Sequence, residues 1–252
     1  MIMSFEDIRA ASAQLLATEK RTAETVQETT PDVITADIIN FAQRLGSEPP
    51  RFLPVIDDPY GCYGWCSDGV DAKVRVAGGS PVFGWTIWEW PEALLTAEFH
   101  SVWKSPTNDL FDITPKPKGE DRIIFVPDPS YPQNFNFDNR PRNQRMRIWA
   151  DIDKGKEAQV LLTQLSQSQH AYESRRAERA GVSLTKWLER KVPSDPIAAA
   201  IDEVIAASDV FEAHYDSLGV GGSQIRADAR LLALMKRKEL ALAGFKALWA
   251  SR

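Results

Sequence analysis

The sequence predicts an α+β protein: a small antiparallel sheet packed on a cysteine-bearing helix, with helices before it and a helical region after it. Three observations carry that expectation. Between residues 80 and 128, runs rich in Val, Ile, Phe and Trp are separated by short turn-forming stretches. Apolar residues recur at helical spacing before residue 50 and again from about residue 154 to the end. A segment between them, "WCSDGVDAKVRVAGG", is helical in pattern and begins with a cysteine. The chain of 252 residues, 43% hydrophobic and 26% charged, has ordinary globular composition and can hold one large domain or a core with a helical extension. The organisation expected is N-terminal helices over 1–50, an α+β core over 51–150 and a helical region over 151–252.

The first helix is expected over 4–25, with Ser4 as its N-cap and Ile8, Leu15 and Leu16 on its apolar stripe. The second is expected over 31–45. Thr30-Pro31-Asp32 opens it, with proline in the first turn where its missing N–H costs nothing, and Gly46 closes it. Residues 47–61 hold four prolines and read as irregular. Cys66, Val70, Val74 and Ala77 then share one helical face, Asp68 sits in the first turn, and Gly78-Gly79 is a stop. That places a helix over 67–77 with Cys66 at its N-terminal end.

"VFGWTIWEW", "LLTAEFHSVWK", "LFDIT" and "RIIFVPD" read as strands, and their short connections predict a meander. Residues 128–147 read as a long loop or boundary. After them come one helix over 156–181, a short one in "SLTKWLERK", one over 195–219 and a last one from Ser223 onward. Ile197, Ile201, Ile205 and Phe211, like Leu231, Leu232 and Met235, lie near helical spacing and are expected to pack. "GVGG" at 219–222 lacks the strand-and-helix setting of a phosphate loop and reads as a linker.

Charge and apolar runs exclude some functions. A net charge of −5 with scattered basic residues argues against a nucleic-acid partner. No window approaches the roughly 18 apolar residues of a membrane span, so no membrane partner is expected. The acidic N-terminal residues make a poor secretory leader, and two cysteines do not make a disulfide framework. A cytoplasmic protein with reduced thiols is the expectation.

"AEFHSVWKSPTNDLFDITP" carries the chemistry. With Ser105-Pro106-Thr107 as a three-residue loop, Lys104 pairs with Asn108 and His100 faces Asp112 directly, their Cβ atoms roughly 4.5–5.5 Å apart. Alternation sets Phe99, Ser101 and Trp103 on one face and Glu98, His100 and Val102 on the other. A histidine held by a carboxylate is a general base with its tautomer fixed. Cys66 at a helix start is the matching nucleophile, because the helix dipole and a neighbouring imidazolium both favour thiolate. Cys66, His100 and Asp112 therefore form a candidate triad. Trp65, Trp85, Trp88 and Trp103 are candidate walls of a substrate cleft. Against this stand simpler roles. Cys66 on an apolar stripe can be a small buried hydrophobe, and Cys62, Cys66, His100 and Asp112 together could bind zinc. No metal and no cofactor are expected.

These residues also carry a resemblance. Cys66 beginning a helix, Gly78-Gly79 before "VFGW", "HSVW" and "DIT" at Asp112–Thr114 resemble the core of transglutaminase-like enzymes, a papain-like thiol class. The segment is also similar to bacterial proteins that sometimes carry a short zinc-chelating tail, the SEC-C motif. The shared features are Gly78-Gly79, Gly84-Trp85, "AEFHSVW", "DITP" and "FVPD". Ser67 and Gly69 stand where those proteins have His and Asn, and no cysteine follows Cys66 to form the tail. The resemblance implies a thiol-dependent hydrolase or acyltransferase acting on an amide bond of a peptide or protein. Cys66 attacks the carbonyl, His100 moves the proton and Asp112 orients His100. The Cys66 N–H and the Trp65 side chain are candidates for the oxyanion hole. The alternative is an inactive binding module on the same fold, with the C-terminal helices as the surface for a partner or a second copy.

Overall fold

The computed structural model describes residues 3–22, 28–219 and 227–252. Two helices, α1 (Phe5–Thr22) and α2 (Ala36–Leu45), precede strand β1 (Arg51–Pro54). Helix α3 (Cys66–Ala77) leads into β2 (Ser80–Trp90), β3 (Leu94–Lys104), β4 (Leu110–Phe111), β5 (Arg122–Pro127) and β6 (Gln144–Arg147). Five helices follow: α4 (Lys154–Gln164), α5 (Gln167–Arg179), α6 (Leu184–Glu189), α7 (Pro196–Ser217) and α8 (Ala229–Ala250). The fold is α+β, with an antiparallel sheet, helices before it and a helical C-terminal region. Two compact units are present. One comprises Met1–Ile148 and Ile205–Lys238, the other Trp149–Val204 and Glu239–Arg252. Among the described residues no helix is long and apolar enough to cross a membrane.

Ser4 starts α1 as expected: the Asp7 N–H donates to its hydroxyl at 3.2 Å, and the Ser4 N–H donates to the Asp7 carboxylate at 3.1 Å. The stripe is narrower than expected, since Ile8 is buried but Leu15 is exposed. Residues 23–25 of the expected helix lie outside the described residues. The second helix begins later than expected. Thr35, not Thr30, caps it by accepting the Ile38 N–H at 3.3 Å, and residues 31–35 run up to it without helical structure. The side-chain cap outranks the proline signal here, because it satisfies a donor that proline can only omit.

Strand order is β1-β5-β2-β3-β4, with β6 also paired to β3. The simple meander is therefore corrected: β5 returns beside β2 instead of continuing from β4. The physical reason lies in β5 itself. Residues Ile123–Pro127 are all buried, and a strand apolar on both faces needs a central place. β1 lies in the stretch read as irregular, and β6 in the stretch read as a loop. Each is four residues long, too short for a clear alternation.

One face of the sheet is the main core. Phe83, Trp85 and Ile87 of β2, Leu95, Ala97 and Phe99 of β3, and Ile124 and Val126 of β5 pack with Ile38, Phe41, Ala42 and Leu45 of α2. A second cluster joins Leu53, Val102, Ile123 and Phe125. A third holds Val70 of α3, Trp103 and Ile113 together, which seats the cysteine-bearing helix on the sheet.

The long helix expected over 156–181 is two helices. Leu165 is extended, and Ser166 opens α5 with a capping box closed by Gln169. In that unit Ala158, Leu188 and Val192 form a small core. Ile201 and Leu231 are buried as expected, whereas Leu232 and Met235 are exposed. Residues 220–226, which include most of "GVGG" and the expected start of the last helix, lie outside the described residues.

Gly84 pairs with His100 on one side and Pro127 on the other. A Cβ there would lie 2.2 Å from the Val126 carbonyl oxygen and 2.9 Å from the Pro127 Cα. Backbone cannot yield as a flexible side chain can, so Gly84→Ala is expected to destabilise the protein by about 1–3 kcal/mol. Urea unfolding measures this, and an unchanged midpoint would contradict such a close approach.

Candidate active site

Cys66 is the first residue of α3. Trp65 precedes it in the capping position with φ −133° and ψ 53°, and no side chain caps the helix. The loop before it is wedged in place by absent side chains. A Cβ on Gly61 would lie 2.0 Å from the Ile113 carbonyl oxygen, and one on Gly69 would lie 2.5 Å from the Tyr60 carbonyl oxygen. The chain at 60–62 thus runs in contact with α3 on one side and with the residue after Asp112 on the other. Gly69 answers to this packing. A Lys73–Asp58 salt bridge at 2.6 Å ties α3 to the same loop, and the Lys73 ammonium lies over the Trp103 ring at 4.9 Å.

Cys62, four residues earlier, is a different thiol. It is buried, and burial pushes it up from its ordinary value, against smaller opposing contributions that include a hydrogen bond with Ser12. Cys66 is only partly buried. Among the described residues no group of three or more His, Cys, Asp or Glu side chains is disposed to hold a metal ion.

His100 stands on β3, opposite Gly84, and is 5% exposed. Its Nε2 meets Asp112 Oδ1 at 3.1 Å. Burial works against a charged imidazole here. The Asp112 carboxylate, by charge and by hydrogen bond, outweighs it together with a contribution from the nearby Cys66 and pushes His100 up to about 10. The structure thus brings the three residues together in the order Cys66, His100, Asp112.

The register that achieves this differs from the direct one. Lys104 pairs with Leu110 and Trp103 with Phe111, so the loop is Ser105–Asp109, two residues longer than a three-residue turn. The Ser105 N–H donates to the Asp109 carbonyl at 2.8 Å, and Asn108 takes φ 70°. The shift is even, so Asp112 keeps the face of His100, as a diagonal neighbour instead of a direct one. An odd shift would have put it on the other face.

Asp112 is 0% exposed, and its backbone and carboxylate are both engaged. Its N–H donates to the Pro54 carbonyl at 3.0 Å, and its carbonyl accepts from the Ile56 N–H at 2.9 Å. Oδ1 also accepts from the Thr114 N–H at 2.8 Å, and Oδ2 takes a salt bridge from Lys116 at 2.6 Å. Burial opposes its charge, but Lys116 first and His100 second hold the carboxyl well below the usual carboxylate range.

The tryptophans divide. Trp85 is core, packed edge-on against Phe99 at 5.2 Å, and Trp103 is buried with its Nε1–H donating to the Gly78 carbonyl at 3.0 Å. Both are corrected from cleft wall to core, because the α2 side and the α3 contact claim them. Trp65 and Trp88 are partly exposed. Two residues beside the site were not singled out from the sequence. Tyr63 lies in the Cys66 loop, and burial, then Glu19, Glu98 and Glu120, push its phenol up to about 12. Lys116 is buried beside Asp112, which sequence alone does not signal, since lysines are almost never buried unless paired.

Compared with family models, with curated proteins and with solved structures, the chain matches none of them. What it does is therefore read from the geometry of Cys66, His100 and Asp112 themselves.

The two cysteines should separate in reactivity. Iodoacetamide at pH 6 is expected to modify Cys66 at least about ten times faster than Cys62, and His100→Ala should slow Cys66 selectively. Mass-resolved labelling measures both rates. Equal rates, with no response to His100→Ala, would leave Cys66 a packing residue.

Proposed function

We propose that this protein is a thiol-dependent hydrolase or acyltransferase that acts on an amide bond of a peptide or protein, in the manner of the transglutaminase-like enzymes its "HSVW" and "DIT" motifs resemble. The observation that carries this reading is His100, buried, with Nε2 on Asp112 and with the thiol at the start of α3 among its neighbours. That arrangement suits one chemistry well. The imidazole takes the thiol proton, and the thiolate so formed is the nucleophile.

The Cys66 sulfur attacks the amide carbonyl, and the carbonyl π electrons move onto oxygen. The uncapped N-terminus of α3 offers N–H groups and a dipole to that oxyanion. The imidazolium then gives its proton to the departing amine, the C–N bond breaks, and a thioester remains on Cys66. Water completes hydrolysis, or a second amine completes transfer, with His100 now accepting the proton of the incoming nucleophile. Asp112 keeps Nε2–H oriented and offsets the imidazolium charge throughout. A protein with reduced thiols fits this use of Cys66, and the cytoplasm is the proposed setting.

The experiment is a peptide-amide library incubated with wild type and Cys66→Ser, read by mass spectrometry. The reading expects cleaved or amine-exchanged products, and a hydroxylamine-sensitive adduct on Cys66. It expects turnover to fall by at least about a thousandfold in Cys66→Ser. Turnover that survives Cys66→Ser would contradict it. So would a partner bound equally by Cys66→Ser with no turnover at all, which is the behaviour of a binding module.

A further inference from the structure

The motif that places Asp112 does not stop at the acid. In "DITPK" the chain turns after Asp112 and brings Lys116 back over it, and a second turn closes with the Gly119 N–H donating to the Lys116 carbonyl at 3.2 Å. The Lys116 side chain is 4% exposed, its ammonium is 2.6 Å from Asp112 Oδ2, and it lies 5.5 Å from the centre of the Trp88 ring. A lysine taken this far out of water needs a partner, and Asp112 and the π face of Trp88 are the ones it has here.

We propose that Lys116 is a positioning residue of this site, a fixed cation that completes a charge-alternating chain running Lys116, Asp112, His100, Cys66. This rests on the thiol-enzyme reading given above. Its content is electrostatic. An ionised Asp112 between two cations holds imidazolium without leaving a net negative charge in the interior beside the sulfur. With Lys116 present the chain sums to zero when Cys66 is thiolate and His100 is imidazolium. Without it the same state carries a net charge of −1, and the cheapest relief is a proton on the sulfur or on the carboxylate. Lys116 therefore favours the reactive ionic form of the pair, acting through Asp112 and touching no substrate.

Asp112 meets Lys116 and His100, and His100 meets Asp112 and Cys66. They come from α3, from β3 and from the segment after β4. The Lys73–Asp58 bridge lies beside Trp103 and Tyr60 and is internally neutral.

The test is the pH profile of Cys66 alkylation by iodoacetamide on the full chain, between about pH 5 and 9. Wild type, His100→Ala, Lys116→Met, Lys116→Gln, Asp112→Asn and the double variant Asp112→Asn/Lys116→Met are compared. Lys116→Met should move the acid limb of the profile to higher pH by about one unit, the scale of a charge lost within a few ångströms. Lys116→Gln keeps a donor without the charge and should move it likewise. In the Asp112→Asn background the lysine substitution should move it clearly less, because the carboxylate that links Lys116 to His100 is gone. Lys116 variants that superimpose on wild type while His100→Ala is displaced would overturn the proposal and leave the triad standing. A glutamine variant with the wild-type profile would also overturn it, since a donor alone would then suffice. Should Lys116→Met not fold, the glutamine variant and the two Asp112→Asn proteins decide the matter by the same readings. Cys66 that is inert in wild type, or indifferent to His100→Ala, would instead remove the thiol-enzyme reading, a different and separable result.

Discussion

Asp112 has no exposed surface, yet it is held as an anion, and the elements around it are arranged to permit that. Removing a carboxylate from water costs several kcal/mol even after relaxation. The protein offsets this with three partners on the carboxylate: hydrogen bonds from the Thr114 N–H and with the His100 ring, and an ion pair with the Lys116 ammonium. Two of the three bring positive charge. The result is a short chain of alternating charge that ends at a thiol on a helix start. Asp112 raises the proton affinity of His100, and Lys116 and His100 in turn lower that of Asp112.

That constraint explains features that otherwise look unrelated. β4 is only two residues long because the next residue leaves the β3 ladder: Asp112 exchanges backbone hydrogen bonds with Pro54 and Ile56 instead. The end of β1 and the residues just after it therefore also anchor the acid. Gly61 lets the loop before Cys66 press on the Ile113 carbonyl, so the nucleophile and the acid are positioned from the same contact. Gly69 does the same against Tyr60 from within α3. The cysteine, the histidine and the acid come from three elements, and the loop at 60–62 is where two of them are tied together.

Much of this was legible in the sequence, and the limits were physical. The helix at Cys66 announces itself by an apolar stripe and a Gly-Gly stop, and β2 and β3 by long runs of β-branched and aromatic residues. The face shared by His100 and Asp112 follows from parity alone, which is why it survives a loop two residues longer than a tight turn. The exact register does not, because Ser105–Asp109 closes by backbone bonds and a positive φ at Asn108 that no strong turn dipeptide signals. β1 and β6 are four-residue strands among prolines and arginines, below the length at which alternation can be read. Trp85 and Trp103 show the cost of reading aromatics by density: burial depends on which neighbours claim each ring. Lys116 was invisible for a plainer reason. A lysine is buried only when an anion is waiting for it, and that anion is four residues away across a turn whose path the sequence leaves open.

The central claim is that His100 is held as an imidazolium between Asp112 and Cys66, and its own titration tests that most directly. Proton–nitrogen correlation spectra of the imidazoles, recorded on the intact protein from pH 5 to 11, would follow His100 without any substrate. Its folded value lies above the ordinary histidine value of 6.5, so the ring should remain protonated through neutral pH and lose its proton only near 10. A His100 that is neutral at pH 8, titrating near 6.5, would contradict the account.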